Sequence, residues 1–158
     1  MTFLFGTYSK DSIIDTENID LSLNFTVPML YLNNWIKCGI LANFFGEYHA
    51  SSYEKAEKNK IMSTLSTVTN ELLENAVKFG CSTHNLIYVS LKKSNHVISI
   101  ETMNYSTQNH TNKLKSFTKL LKKDNAEDIL LKTIEKNISK NETSELGLLT
   151  IFKDYSDK

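Results

Sequence analysis

Between Ile61 and Phe79 the apolar residues recur at helical spacing, with Ile61, Leu65, Val68, Leu72, Ala76 and Phe79 on one side of the cylinder. This stripe predicts a long helix from about Tyr53 to Phe79, buried along that side and closed by Gly80 as its C-cap. Glu71, Asn75 and Lys78 share an arc along its edge, so a carboxylate and a carboxamide stand one turn apart with a cation beside them. Upstream, Leu30 to Tyr48 carries Leu30, Trp35, Cys38, Ile40, Leu41, Phe44, Phe45 and Tyr48. Apolar residues there cover more than half the circumference, which predicts a largely buried helix that either sits between the sheet and the next helix or supplies a partner surface, with core burial favoured.

The period changes to two elsewhere. Ile19 to Val27 alternates and ends at Pro28, a residue with no N–H to donate, so it reads as a half-buried strand. Asn85 to Leu91 and His96 to Met103 alternate as cleanly, with Lys92 to Asn95 as the turn between two hairpin strands. Ile87, Val89 and Leu91 share one face, and Ile98, Ile100 and Thr102 repeat the pattern. Phe3 to Tyr8 reads as one more short strand, and 10–18 as a polar loop. After a polar stretch from Asn104 to Thr111, amphipathic helices are expected at Leu114 to Leu121, Ala126 to Ile138 and Glu145 to Tyr155. This order predicts an α+β fold, a sheet covered on one face by helices.

Composition narrows the function. At 158 residues the chain is sized for a single domain, here 1–158 with 1–18 as an N-terminal extension. Eighteen basic and eighteen acidic residues cancel, which argues against nucleic acid and against an anionic membrane as partners. No apolar run approaches the roughly 20 residues a bilayer span requires, and the N-terminus lacks the pattern of a secretion signal, so a cytoplasmic protein is expected. Cys38 and Cys81 form no Cys-x-x-Cys pair, and the four histidines are scattered. No Gly-rich loop ending in Gly-Lys-Ser/Thr is present, which excludes a P-loop.

Glu71 to Asn75, with Ala76, Lys78 and Phe79, resembles the N-box of the histidine-kinase-like ATPases, the GHKL or Bergerat-fold superfamily. The Asn-Ala-x-Lys-Phe portion is similar to the histidine-kinase version, and a Glu one turn earlier is similar to that of anti-sigma-factor serine kinases. Asn104 stands where the superfamily has the Asp that reads the adenine amine, although the glycines that normally follow are missing. Leu146, Gly147 and Leu148 resemble the box that cradles phosphates at a helix N-terminus, with Glu145 in place of its first glycine. From about Ile19 onward the chain resembles small bacterial stand-alone regulators of this class, related to anti-sigma-factor serine kinases and SiaB-type protein kinases.

The resemblance implies a two-layer α/β sandwich with a mixed, mostly antiparallel sheet, and a partner-switching regulator as its function. In one form the chain is an ATP-dependent serine/threonine kinase acting on a STAS-type antagonist, with Mg²⁺ and ATP as cofactors. Asn75 would then ligate the metal, Glu71 would act as catalytic base, Lys78 would contact phosphate, and Asn104, Leu146, Gly147 and Leu148 would complete the nucleotide site. In the other, a degenerate module without nucleotide keeps the scaffold and binds a regulatory protein, a form the missing glycines favour. A third reading is a homodimerisation module built from the N-terminal strand and the aromatic helix.

Overall fold

The central strand is the most deeply buried part of the molecule, with Ile87, Val89 and Leu91 at no more than 1% exposure. The computed structural model describes residues 19–32, 34–81, 85–95, 97–123, 128–129, 131–134 and 146–155. The expected strand at Phe3 to Tyr8, the polar loop before Ile19 and Glu145 lie outside them. Two compact units divide at Ser106/Thr107, and each is described by itself.

In the first unit, β1 (Leu21–Pro28), β2 (Leu86–Ser94) and β3 (Val97–Asn104) form an antiparallel sheet in the order β1-β2-β3. Phe25 pairs with Val89, and Val89 with Thr102. This register puts Leu21, Leu23, Phe25 and Val27 on the face of Ile87, Val89 and Leu91, and adds Ile98 and Ile100 from β3. The side-chain faces follow the alternation in the sequence. The sheet is antiparallel throughout the described residues, where a mixed one was expected. The hairpin turn falls three residues later than the run Lys92-Lys93-Ser94-Asn95 implies, because strand pairing continues to Ser94–Val97. Asn95 takes the turn with φ of 52°, a left-handed conformation that Asn tolerates better than most residues. Lys93 stays in the strand by laying its ammonium over the Tyr53 ring and 3.5 Å from Asp20.

Helices cover the inner face of the sheet. A 3₁₀ turn at Met29–Tyr31 precedes α1 (Trp35–Ala50), which starts later than Leu30 because Asn34 caps it, its side chain accepting from Ile36 N–H at 2.9 Å. Such a cap contributes about 1 kcal/mol. α2 (Lys55–Lys78) ends on Phe79 as its C-cap, one residue before the predicted Gly80. Its buried line is Leu65, Thr69, Leu73 and Ala76, so the helix is rotated from the predicted stripe and Val68 and Leu72 are only half-buried. The rotation follows from α1, whose Gly46 meets the Met62 carbonyl and Ser66 and draws this side of α2 into the helix–helix seam.

α1 is less buried than core placement predicts. Cys38, Ala42, Phe45 and His49 enter the core, with Phe45 edge-on to Phe25 at 5.2 Å. On the opposite side Ile36, Ile40, Phe44 and Tyr48 stay exposed, as do Tyr31 and Trp35. A helix apolar all round needs partners on all sides, and the sheet and α2 cover only one.

The second unit contains α3 (Gln108–Lys123) and α4 (Leu146–Tyr155). α3 begins well before Leu114, since Thr107 Oγ1 accepts from His110 N–H and starts the helix inside a stretch that composition marks as a loop. Phe117, Leu121, Ile129 and Leu149 form its core, with Leu148 and Phe152 packed on it. Of the helix expected at Ala126 to Ile138, residues 128–129 and 131–134 are described and helical. Among the described residues no helix is long and apolar enough to cross a membrane.

Candidate functional site

The edge of α2 carries Glu71, Asn75 and Lys78 in the first unit, and β3 brings Asn104 to the same end of the helix. Asn75 is half-buried, and its Nδ2 donates to the Glu71 carbonyl at 2.7 Å, tying the side chain back to its own helix. Its carboxamide oxygen is the atom that a metal would use. Lys78 is exposed at the last helical position, with Nζ 5.5 Å from the centre of the Phe79 ring. A cation suits a helix C-terminus, where it offsets the carbonyl end of the dipole, and this accounts for Lys78 without a phosphate.

Glu71 is half-buried, and its carboxyl titrates above the ordinary 4.5, first because burial disfavours the charged form and second because Glu74 lies close by. Glu74 is the residue that motif matching passes over. It accepts from Asn70 Nδ2 at 2.8 Å and so is held on the same helical face. The Glu71/Glu74 spacing of three residues is visible in the sequence and by itself signals like-charge repulsion. The sign of the pH effect follows: the folded chain holds the Glu71 proton more tightly than the unfolded chain, so the ionised carboxylate costs stability above its raised pKa. As pH falls through that pKa towards 4.5, this cost is relieved. Glu71→Gln is expected to raise the melting temperature at neutral pH, with the advantage over wild type shrinking on acidification. An unchanged or lower melting temperature at neutral pH would show that the carboxylate is stabilised by contacts instead.

Asn104 is where the structure is most informative. Its Nδ2 donates to the Ala76 carbonyl and to the Tyr105 carbonyl, each at 3.3 Å. Ala76 belongs to the motif helix itself, so the strand end and the helix are joined directly by this carboxamide. Two further bonds close the same junction. Ser106 Oγ donates to the Phe79 carbonyl at 2.6 Å, and Cys81 N–H donates to the Tyr105 carbonyl at 2.8 Å. Gly80 and Ser106 pair as an isolated bridge. Residues 104–106 thus lie against the end of α2 and bond the Ala76 and Phe79 carbonyls.

The bond to Ala76 uses the Asn104 carboxamide nitrogen, and the carboxamide oxygen is the atom that would accept from an adenine amine. Among the described residues no group of three or more His, Cys, Asp or Glu is placed to hold a metal ion. Ser106 and Glu74, which define the junction and its charge, carry no signal in the motif.

The phosphate-box candidates belong to the second unit. Leu146, Gly147 and Leu148 form the first turn of α4 and are half-buried. Leu148 packs on the cluster of Phe117, Leu121, Ile129 and Leu149, which gives it a core role. Cys38 is buried, with Sγ 3.5 Å from the Leu32 carbonyl, and burial and then Glu74 push its thiol above the ordinary range, so it is a poor nucleophile. His49 is 1% exposed and titrates below its ordinary 6.5, owing to burial and then Lys93. Its Nε2 lies 3.2 Å from the Tyr53 hydroxyl, so it is a core group. The chain matches no family model, no curated protein and no solved structure.

Proposed function

We propose that this protein is a regulatory protein-binding module that retains a scaffold similar to the histidine-kinase-like ATPases and works without nucleotide. The observation that supports this reading is the bond from Asn104 to the Ala76 carbonyl, which ties the end of β3 directly to the motif helix. Ser106 and Tyr105 strengthen the closure with backbone partners at the C-cap Phe79 and at Cys81, so opening it would break several hydrogen bonds at once. A chain of this type acts by presenting surfaces to a regulatory partner, and the resemblance points to a STAS-type protein as that partner.

A kinase is the second reading, and Glu71 favours it. A half-buried carboxyl whose pKa is raised by burial and by Glu74 is the kind of group that general-base catalysis uses. Thermal melting with saturating Mg-ADP or Mg-ATP separates the two. No shift is expected for the nucleotide-free module, whereas ligand at about 100 times its Kd would stabilise by about 2.7 kcal/mol. A reproducible rise that Asn75→Ala abolishes would overturn the first reading, and transfer of label from ATP to a STAS-type protein would then establish the kinase.

A further inference from the structure

The exposed side of α1 carries a continuous apolar ridge. Ile36, Ile40, Phe44 and Tyr48 follow one another at intervals of four and form a single ridge along the helix. Ile40 is 64% exposed and Phe44 43%, values far from the burial that a helix apolar all round normally reaches. The ridge does not stand alone. Phe44 packs edge-on against Phe25 of β1 at 5.9 Å, and Lys37, Ile40, Leu41, Phe44 and Phe25 line a shallow depression of about 410 Å³ beside it. Tyr31 extends the patch at one end, with the Lys37 ammonium 5.7 Å from its ring centre.

The charges that flank the ridge are Lys37 and Glu47, both exposed. They lie on opposite sides of it and at equal distances from its middle, which falls level with Ala42. The same midpoint relates Ile36 to Tyr48 and Ile40 to Phe44. A two-fold contact centred there would set residue i against j and j against i, so that each apolar residue of the ridge meets another apolar one and Lys37 meets Glu47.

We propose that α1 is the two-fold interface with a second copy of this chain. The two helices pack antiparallel, with Ile40 against the second copy's Phe44, Ile36 against its Tyr48, and Lys37 beside its Glu47. The i±4n ridges of both copies interlock, which sets a crossing near −50°. The ridge supplies the centre of the contact, with Ile36, Ile40, Phe44 and Tyr48 each 43–64% exposed. The proposal goes beyond the regulatory reading and is independent of it, because the α2 edge takes no part in this contact.

Sedimentation of the full chain over a broad concentration range tests it. A dimer is expected for the wild type, and Ile40→Asp is expected to be monomeric. Because that variant places a carboxylate beside the core, charge reversals at the rim provide the second arm. Lys37→Glu and Glu47→Lys should each weaken the dimer about tenfold by bringing like charges together. Mixing the two single variants restores both opposite-charge pairs, so they should form a heterodimer in preference to either homodimer. A wild type that stays monomeric assigns the face to another occupant and overturns the proposal. So does a dimer that neither reversal weakens, or a mixture that shows no preference for the heterodimer.

Discussion

Leu73→Ala is expected to destabilise the protein by about 2–5 kcal/mol, while Leu72→Ala, its immediate neighbour, costs about half as much or less. Leu73 is fully buried against the sheet, in one cluster with Phe45, Ile87, Val89 and Leu91. Truncating it removes the transfer energy of its methyl groups and leaves a cavity among side chains that the strands hold in place. Leu72 is half-buried, so part of its surface already meets solvent and the space it leaves stays open to water. At roughly 2–4 °C per kcal/mol for a chain of this length, the two variants separate clearly in a melting experiment. Equal losses at both positions would mean that α2 is seated with the wrong side inward.

Gly46→Ala is expected to cost about 2–3 kcal/mol, although alanine is intrinsically the better helix former by about 1 kcal/mol. A methyl group at this position would lie 2.7 Å from the Met62 carbonyl oxygen and would also overlap Ser66. The serine can rotate away, but the carbonyl belongs to the backbone of α2, so relief requires the two helices to separate. Gly39→Ala is the internal control. A Cβ there meets only Asn70 Oδ1, at 3.9 Å, which is ordinary contact, so the propensity gain is retained and the protein is unchanged or slightly more stable. Urea denaturation with an unchanged slope reads both effects. A neutral Gly46→Ala would rule out close approach of α1 and α2 at this point.

These two positions also mark where the sequence was legible. The strands were, because one face of each is buried and period two has only two phases: once Ile87, Val89 and Leu91 are grouped, the remaining residues of β2 must face outward. The existence and length of α2 were legible for a similar reason. Its phase was not, since Leu72 and Leu73 are chemically identical and the choice between them is made by Gly46 on another helix. The exposed side of α1 was misread because hydrophobicity records what a surface prefers and leaves open whether a partner is present. The hairpin turn was placed too early because Lys93 looks like a turn residue until Tyr53 and Asp20 supply its contacts.

The candidate site divides in the same way. Glu71, Asn75 and Lys78 share an edge by helical geometry alone, which the sequence encodes locally. Asn104 was correctly placed at a strand end, but its bond to Ala76 joins residues far apart in the chain and has no local signature. The motif therefore grouped Glu71, Asn75 and Lys78 on one edge and was silent on what Asn104 contacts across the junction.

The connectivity of the sheet has a consequence for how the first unit assembles. α1 with α2, and β2 with β3, are neighbours in sequence as well as in space, so each pair forms by closing a short loop. β1 is different. Among the described residues its only strand partner is β2, and the whole stretch from Pro28 to Leu86 separates them, including both helices. Loop-closure entropy rises with the length of chain enclosed, and non-local pairings form more slowly than local ones. The helical hairpin and the β2–β3 hairpin therefore provide the template on which β1 docks, and this strand, first in the described chain, is the last to find its place and the first to leave it.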